Sequence, residues 1–116
     1  MAEVKAVVTN TSSGAVRAEW PSVQAGDTCQ PVDYDTHADR TVQITGTFGG
    51  ASVAVQGSLE EVPVNWSVLT DPQGNDLNLT ASKIEMVVEN TAFVRPAITG
   101  GDGSTDLNIT LFMRRK

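Results

Sequence analysis

The sequence predicts one all-β domain, and three observations support that prediction. Val and Thr, which are β-branched and favour strands, are the commonest residue types among the 116 residues. Gly and Pro interrupt the chain at short intervals, as turns require. Apolar residues alternate with polar ones, and no segment repeats them at helical spacing. About eight short strands are expected, which is typical of a two-sheet antiparallel β-sandwich of jelly-roll type.

The N-terminal part predicts a hairpin over residues 3–20, with strands at 3–9 and 15–20 and a polar turn between them. Pro21 should end the second strand because it has no N–H to donate. Residues 21–39 then show no periodicity and are expected to form a long loop. This loop holds three predicted contact residues, Pro31, Val32 and Tyr34.

The middle of the chain has the clearest alternation, over residues 41–48, where Val42 and Ile44 should face inward. Gly49 and Gly50 then predict a two-residue hairpin turn, since both positions of such a turn favour positive φ. A return strand over 51–57 should bury alternate residues from Val53 onward.

Further strands are expected at 65–70, 77–79, 83–89, 92–99 and 105–113. In segment 83–89 the predicted inward residues are Ile84, Met86 and Val88, and a helix is the alternative there. The last strand should bury every second residue from 107 to 113, so that the ring of Phe112 points outward as a candidate contact.

Catalytic and cofactor signals are weak. The only histidine, His37, and the only cysteine, Cys29, lie in no recognisable motif, and together they cannot supply a typical transition-metal ligand set. The acidic turns at 71–76 and 102–106 do not complete a calcium loop. We therefore expect no enzyme activity, no cofactor and no bound metal.

The net charge of −6 argues against nucleic acid as a partner. Basic residues cluster only at Arg114, Arg115 and Lys116, which predicts either a solubilising tail or a tether to an acidic partner surface. No run of about 18 apolar residues predicts a membrane span, and no signal peptide is recognised. A lone cysteine fits a reducing compartment, or a particle assembled in one.

Several short strings between residues 40 and 115 resemble a known group of proteins. They include the segment 42–50, Val55-Gln56-Gly57-Ser58, Asn65-Trp66, the turn 69–74, Arg95-Pro96-Ala97 and the glycine-rich turn 99–103. Together they resemble small β proteins of tailed-bacteriophage virions, and within that group the head decoration, or cement, proteins of short-tailed phages.

This resemblance implies a protein of the outer capsid surface that bridges neighbouring subunits of the major capsid protein and stabilises the shell. A homo-oligomer, either a dimer or a trimer, is expected. Two alternatives remain open: a neck or tail component of the same virion, and a carbohydrate-binding module for host attachment. The second is suggested by a weaker similarity of 53–69 to galactose-binding jelly rolls, which usually carry an Asp after the Gly-Ser where this chain has Leu59.

Overall fold

A computed structural model describes residues 2–115, and in this range the chain is all-β without a helix. Within it there is accordingly no helix long and apolar enough to cross a membrane. The strands are β1 (Glu3–Val4), β2 (Val7–Asn10), β3 (Val16–Val23), β4 (Thr28–Cys29), β5 (Asp39–Thr47), β6 (Ala51–Ser58), β7 (Ser67–Val68), β8 (Asn78–Leu79), β9 (Lys83–Val87), β10 (Phe93–Gly100) and β11 (Asp106–Arg114).

These strands form two larger sheets and one small one. The five-stranded sheet has the order β2-β3-β11-β5-β9, and the four-stranded sheet has the order β10-β6-β7 with β8 also on β6. All pairs within the two larger sheets are antiparallel, whereas β1 and β4 pair in parallel. Eleven strands between residues 2 and 115 exceed the eight predicted, and four of them have only two residues.

One hydrophobic core is shared by both larger sheets. Strand β11 is central to it, since its alternate residues from Leu107 to Met113 are at most 1% exposed, as predicted. Val42 and Ile44 of β5 extend this layer, and Val53 and Val55 of β6 contribute from the other sheet, also as predicted. Burying these side chains contributes about 1.5–3 kcal/mol each, so the core dominates stability.

The N-terminal segment is more divided than predicted. Strand β2 does pair with β3 as a hairpin, and the Thr11 and Gly14 backbone groups close the turn. The two-residue β1, however, leaves this hairpin and pairs with β4. The predicted strand 3–9 is therefore two separate strands that belong to different sheets.

Pro21 does not end β3, contrary to the prediction. The strand continues to Val23 through a bulge, because two residues of β3 oppose the single Asn108 of β11. Ser22 has φ of +52° in this bulge, and its N–H donates to the Asn108 side chain at 3.0 Å. A bulge tolerates Pro because the ladder is already interrupted there, and β2 no longer flanks β3 at this point.

Gly49 and Gly50 form a tight turn, but the predicted hairpin is wrong. The Ala51 N–H donates to the Phe48 carbonyl across the turn, and both glycines have positive φ. Strands β5 and β6 nevertheless lie in different sheets. Strand β5 pairs with β11 along one edge and β9 along the other, so no edge is left for β6.

Strand β9 is a strand as predicted, but its faces are reversed. Val87 is buried, whereas Ile84, Met86 and Val88 are 60%, 43% and 49% exposed. The reversal follows from register, because Val87 pairs with Arg40 on the inner side of β5. Three apolar side chains therefore face away from the core.

Residues 21–39 are not a free loop. They include the end of β3 and all of β4, and Val32 exchanges two backbone hydrogen bonds of 2.9 Å with Val94 of β10. The buried Arg40 holds the final part, donating from Nε to the His37 carbonyl at 2.9 Å and from Nη2 to the Tyr34 carbonyl at 2.8 Å. Burial lowers the pKa of Arg40. This segment is therefore anchored to both larger sheets.

We expect Gly46→Ala to destabilise the fold by at least about 2 kcal/mol more than Gly74→Ala. Both glycines have positive φ, but a Cβ at Gly46 would strike the Asp106 carbonyl oxygen, whereas Gly74 has open space around it. Urea unfolding followed by Trp20 fluorescence measures both values. Equal losses would show that the close approach of β5 to β11 does not matter.

Candidate functional site

The contact residues predicted in segment 21–39 are poorly suited to binding. Val32 is buried at 6% exposure and belongs to the core, so its assignment as an outer contact is wrong. Tyr34 is half-buried, packs against the core and meets His37 edge to face at 6.0 Å between ring centroids. Pro31 is half-buried as well.

The basic C-terminal residues lie at the end of β11. Arg114 and Arg115 are exposed and line an open cleft with the β2–β3 turn. Arg114 also forms an ion pair of 3.0 Å with Asp39 across the strands, which contributes little at such exposure. Lys116, the third basic residue of the predicted contact, lies outside the described residues.

His37 and Cys29 are both buried and occupy different settings. His37 Nδ1 lies 3.1 Å from the Thr36 hydroxyl, while Cys29 borders a shallow cleft beside Arg95. Burial raises the pKa of the Cys29 thiol to about 12, which disfavours the reactive thiolate. Across residues 2–115, no group of three or more His, Cys, Asp or Glu side chains is placed to hold a metal ion.

An exposed apolar loop follows β6, and the sequence analysis did not single it out. We call residues 59–64 the apolar loop. Its Leu59, Val62 and Val64 side chains are 75%, 76% and 74% exposed. Isolated exposed apolar residues are ordinary, but three within six residues concentrate exposed apolar area in one loop, which favours contact with another surface.

The carboxylate of Glu60 gives this loop a fixed shape. Its Oε1 accepts hydrogen bonds from the backbone N–H groups of Val64 at 2.9 Å and Asn65 at 2.6 Å, and its Oε2 accepts one from the Asn65 side chain. The Glu60 N–H donates in turn to the Ser58 hydroxyl. These bonds to the charged form lower the pKa of Glu60 to about 2.

The second candidate surface is the side of the five-stranded sheet that points away from the core. Two adjacent rows of paired residues cross all five strands there, and none of their members is buried. We call these ten residues the outer face. One row is Thr9, Arg17, Phe112, Thr41 and Met86, and the other is Val7, Glu19, Thr110, Gln43 and Ile84.

Phe112 lies near the middle of the outer face, on the outward side that the sequence predicts. The guanidinium carbon of Arg17 lies 5.6 Å from the centroid of the Phe112 ring. Thr41, Gln43 and Ile84 border the same shallow depression. The outer face therefore combines an aromatic ring and aliphatic side chains with hydroxyl and amide groups.

Two aromatic rings lie in or against the core, namely Trp20, which is buried, and Phe48. Trp66 is half-buried beside the four-stranded sheet, where the Arg95 guanidinium carbon lies 4.1 Å from its ring centroid. Arg95 also donates from Nε to Gln56 at 3.0 Å. The Arg95 guanidinium therefore occupies one face of the Trp66 ring, and that face is not free to stack on a ligand.

No model of a known protein family matches the chain, and no curated protein matches it.

We expect the backbone N–H signals of Val64 and Asn65 to shift in NMR spectra with a midpoint near pH 2 rather than 4.5. In the folded protein the Glu60 carboxylate keeps these hydrogen bonds until the pH falls through its lowered pKa of about 2. Their contribution to stability is fully present above pH 4.5 and is lost as the pH falls from there through 2. Glu60→Ala should remove this transition. A midpoint near 4.5 would show that the carboxylate does not bind these amides.

Proposed function

We propose that the chain is a non-catalytic binding protein that decorates a bacteriophage capsid. In this proposal its two larger sheets form a jelly-roll-like β-sandwich that serves as a rigid support. It binds the outer surface of the expanded shell and bridges neighbouring major capsid subunits. The sequence resemblance to head decoration proteins supports the assignment to a virion, and the surfaces described above support a binding role.

The apolar loop is the observation that carries the proposal. The backbone that carries the exposed Leu59, Val62 and Val64 side chains loses little additional freedom on binding, since hydrogen bonds to Glu60 already fix it. Pre-organised apolar groups that enter a pocket are typical anchors of protein interfaces. Glu61 and the overall charge of −6 favour a partner pocket with a basic rim.

Binding of this kind would stabilise the shell by mass action. A protein that binds the expanded state and not its precursor lowers the free energy of the expanded state by RT ln(1 + [L]/Kd) for each site. At a concentration of 100 Kd this amounts to about 2.7 kcal/mol per copy. Repeated over many copies, such a contribution would resist the internal pressure of packaged DNA.

We expect the variant Leu59→Ser/Val62→Ser/Val64→Ser to bind expanded shells of the parent phage at least about 100-fold more weakly. Each substitution removes an apolar anchor worth on the order of 1 kcal/mol or more. Co-sedimentation with purified shells measures the affinity. Val8→Ser, a partly exposed apolar position on β2, is the matched control and should bind like the unmodified protein.

Copy number and ligand screening separate this proposal from its alternatives. Quantitative mass spectrometry of purified particles should find hundreds of copies per virion, whereas six or twelve copies would indicate a neck or tail component. Strong saturable binding on a glycan array, lost on Trp66→Ala, would instead indicate a carbohydrate-binding attachment module. If shells bind the triple-serine variant as well as the unmodified chain, the role of the apolar loop is wrong.

A further inference from the structure

We propose that two copies of this chain associate through the outer face, related by a two-fold axis that lies in the interface and runs across the strands. The inference concerns the five-stranded sheet and does not depend on the apolar loop or on the capsid. Its basis is the distribution of charge and apolar area over the two rows of that face.

The outer face is electrically balanced in a strongly acidic chain. Among its ten residues the only charged side chains are Arg17 and Glu19, which are two residues apart on β3. The chain as a whole carries a net charge of −6, so two copies repel each other over most orientations. Contact through a face with no net charge largely avoids this repulsion.

The two rows are complementary to each other. The proposed two-fold axis runs between the two rows. It places each residue of one row opposite a residue of the other row in the second copy, namely the one on the same strand. Arg17 then faces Glu19 of the second copy, and Glu19 faces its Arg17, which gives two symmetric ion pairs. The same operation sets Met86 against Ile84 at the β9 edge.

The centre of the outer face is also suited to this arrangement. Phe112 of one copy would lie over Thr110 of the other, where the hydroxyl side chain is small enough to leave room for the ring. No charged residue of either row would be buried without an opposite charge. An unpaired buried charge is the feature that usually prevents a sheet face from docking.

The ten residues alone are too few for a stable interface, so the contact must extend along the same side of the sheet. Five strands span about 24 Å and the two rows cover about 14 Å along them, so two such faces bury roughly 600–700 Å² in total. The same side continues along the nine-residue strands β5 and β11, where Asp39 and Arg114 already pair with each other at 3.0 Å. Including this extension brings the buried area to on the order of 1,000 Å², which is near the lower limit for a specific interface. The expected dimer is therefore reversible, with a dissociation constant in the micromolar range.

Sedimentation velocity of the full chain tests this arrangement. At concentrations of about 100 μM we expect the mass to approach twice that of the 12.3-kDa chain. Arg17→Glu alone and Glu19→Arg alone should each raise the dissociation constant at least tenfold. In each variant, positions 17 and 19 of facing copies carry charges of the same sign and repel each other. The double variant Arg17→Glu/Glu19→Arg exchanges the two charges and should restore the dimer.

Lys5→Glu makes the same charge change as Arg17→Glu at an exposed position outside the outer face, and it should leave the dimer intact. Circular dichroism checks that every variant is folded. A monomeric unmodified chain at 100 μM would overturn the inference, and so would single and double variants that all dimerise normally. Failure of the double variant to recover would rule out this two-fold axis. None of these results bears on whether the triple-serine variant binds shells, so the proposed function is tested separately.

Discussion

The inward alternation of β11 is the constraint on which the five-stranded sheet depends. Leu107, Ile109, Leu111 and Met113 all point into the core. Because paired residues of neighbouring strands point to the same side of a sheet, this determines which residues of β3 and β5 point inward as well. The pairing of β5 with β9 determines the orientation of β9 in the same way, so that Val87 points into the core and Ile84 points away from it. Because a strand has only two faces, the same register that fills the core also determines the composition of the outer face.

The sequence predicts this arrangement well where apolar residues occupy only one face, and badly where they occupy both. On β11 and β6 nearly all large apolar residues fall on one face, Phe112 apart, and the inward residues are those expected. On β9 the run from Ile84 to Val88 offers apolar residues on either face, and only the pairing with β5 decides between them. The choice of sheet for β6 depends likewise on which edges of β5 are occupied, which no local pattern such as Gly49-Gly50 reveals.

Two charged side chains shape the loops by binding backbone groups. Arg40 donates to carbonyl groups of segment 34–37 from within the core, and Glu60 accepts from the amides that close the apolar loop. Neither contact is visible in the sequence, because each joins residues whose relation depends on the folded backbone. The apolar loop was missed for the same reason: Leu59, Val62 and Val64 form no periodic pattern, and only their exposure together distinguishes them.

The two candidate surfaces belong to different parts of the molecule, and this separation has a consequence for binding. The apolar loop follows β6 of the four-stranded sheet, whereas the outer face belongs to the five-stranded sheet, so covering one does not use up the residues of the other. A dimer formed through the outer face would therefore carry two apolar loops. When two linked loops bind one repetitive surface, the second engages at a high effective concentration, which converts modest single contacts into firm attachment. If both proposals hold, the dimer would attach to a repetitive surface through two apolar loops and would need no large interface on either copy.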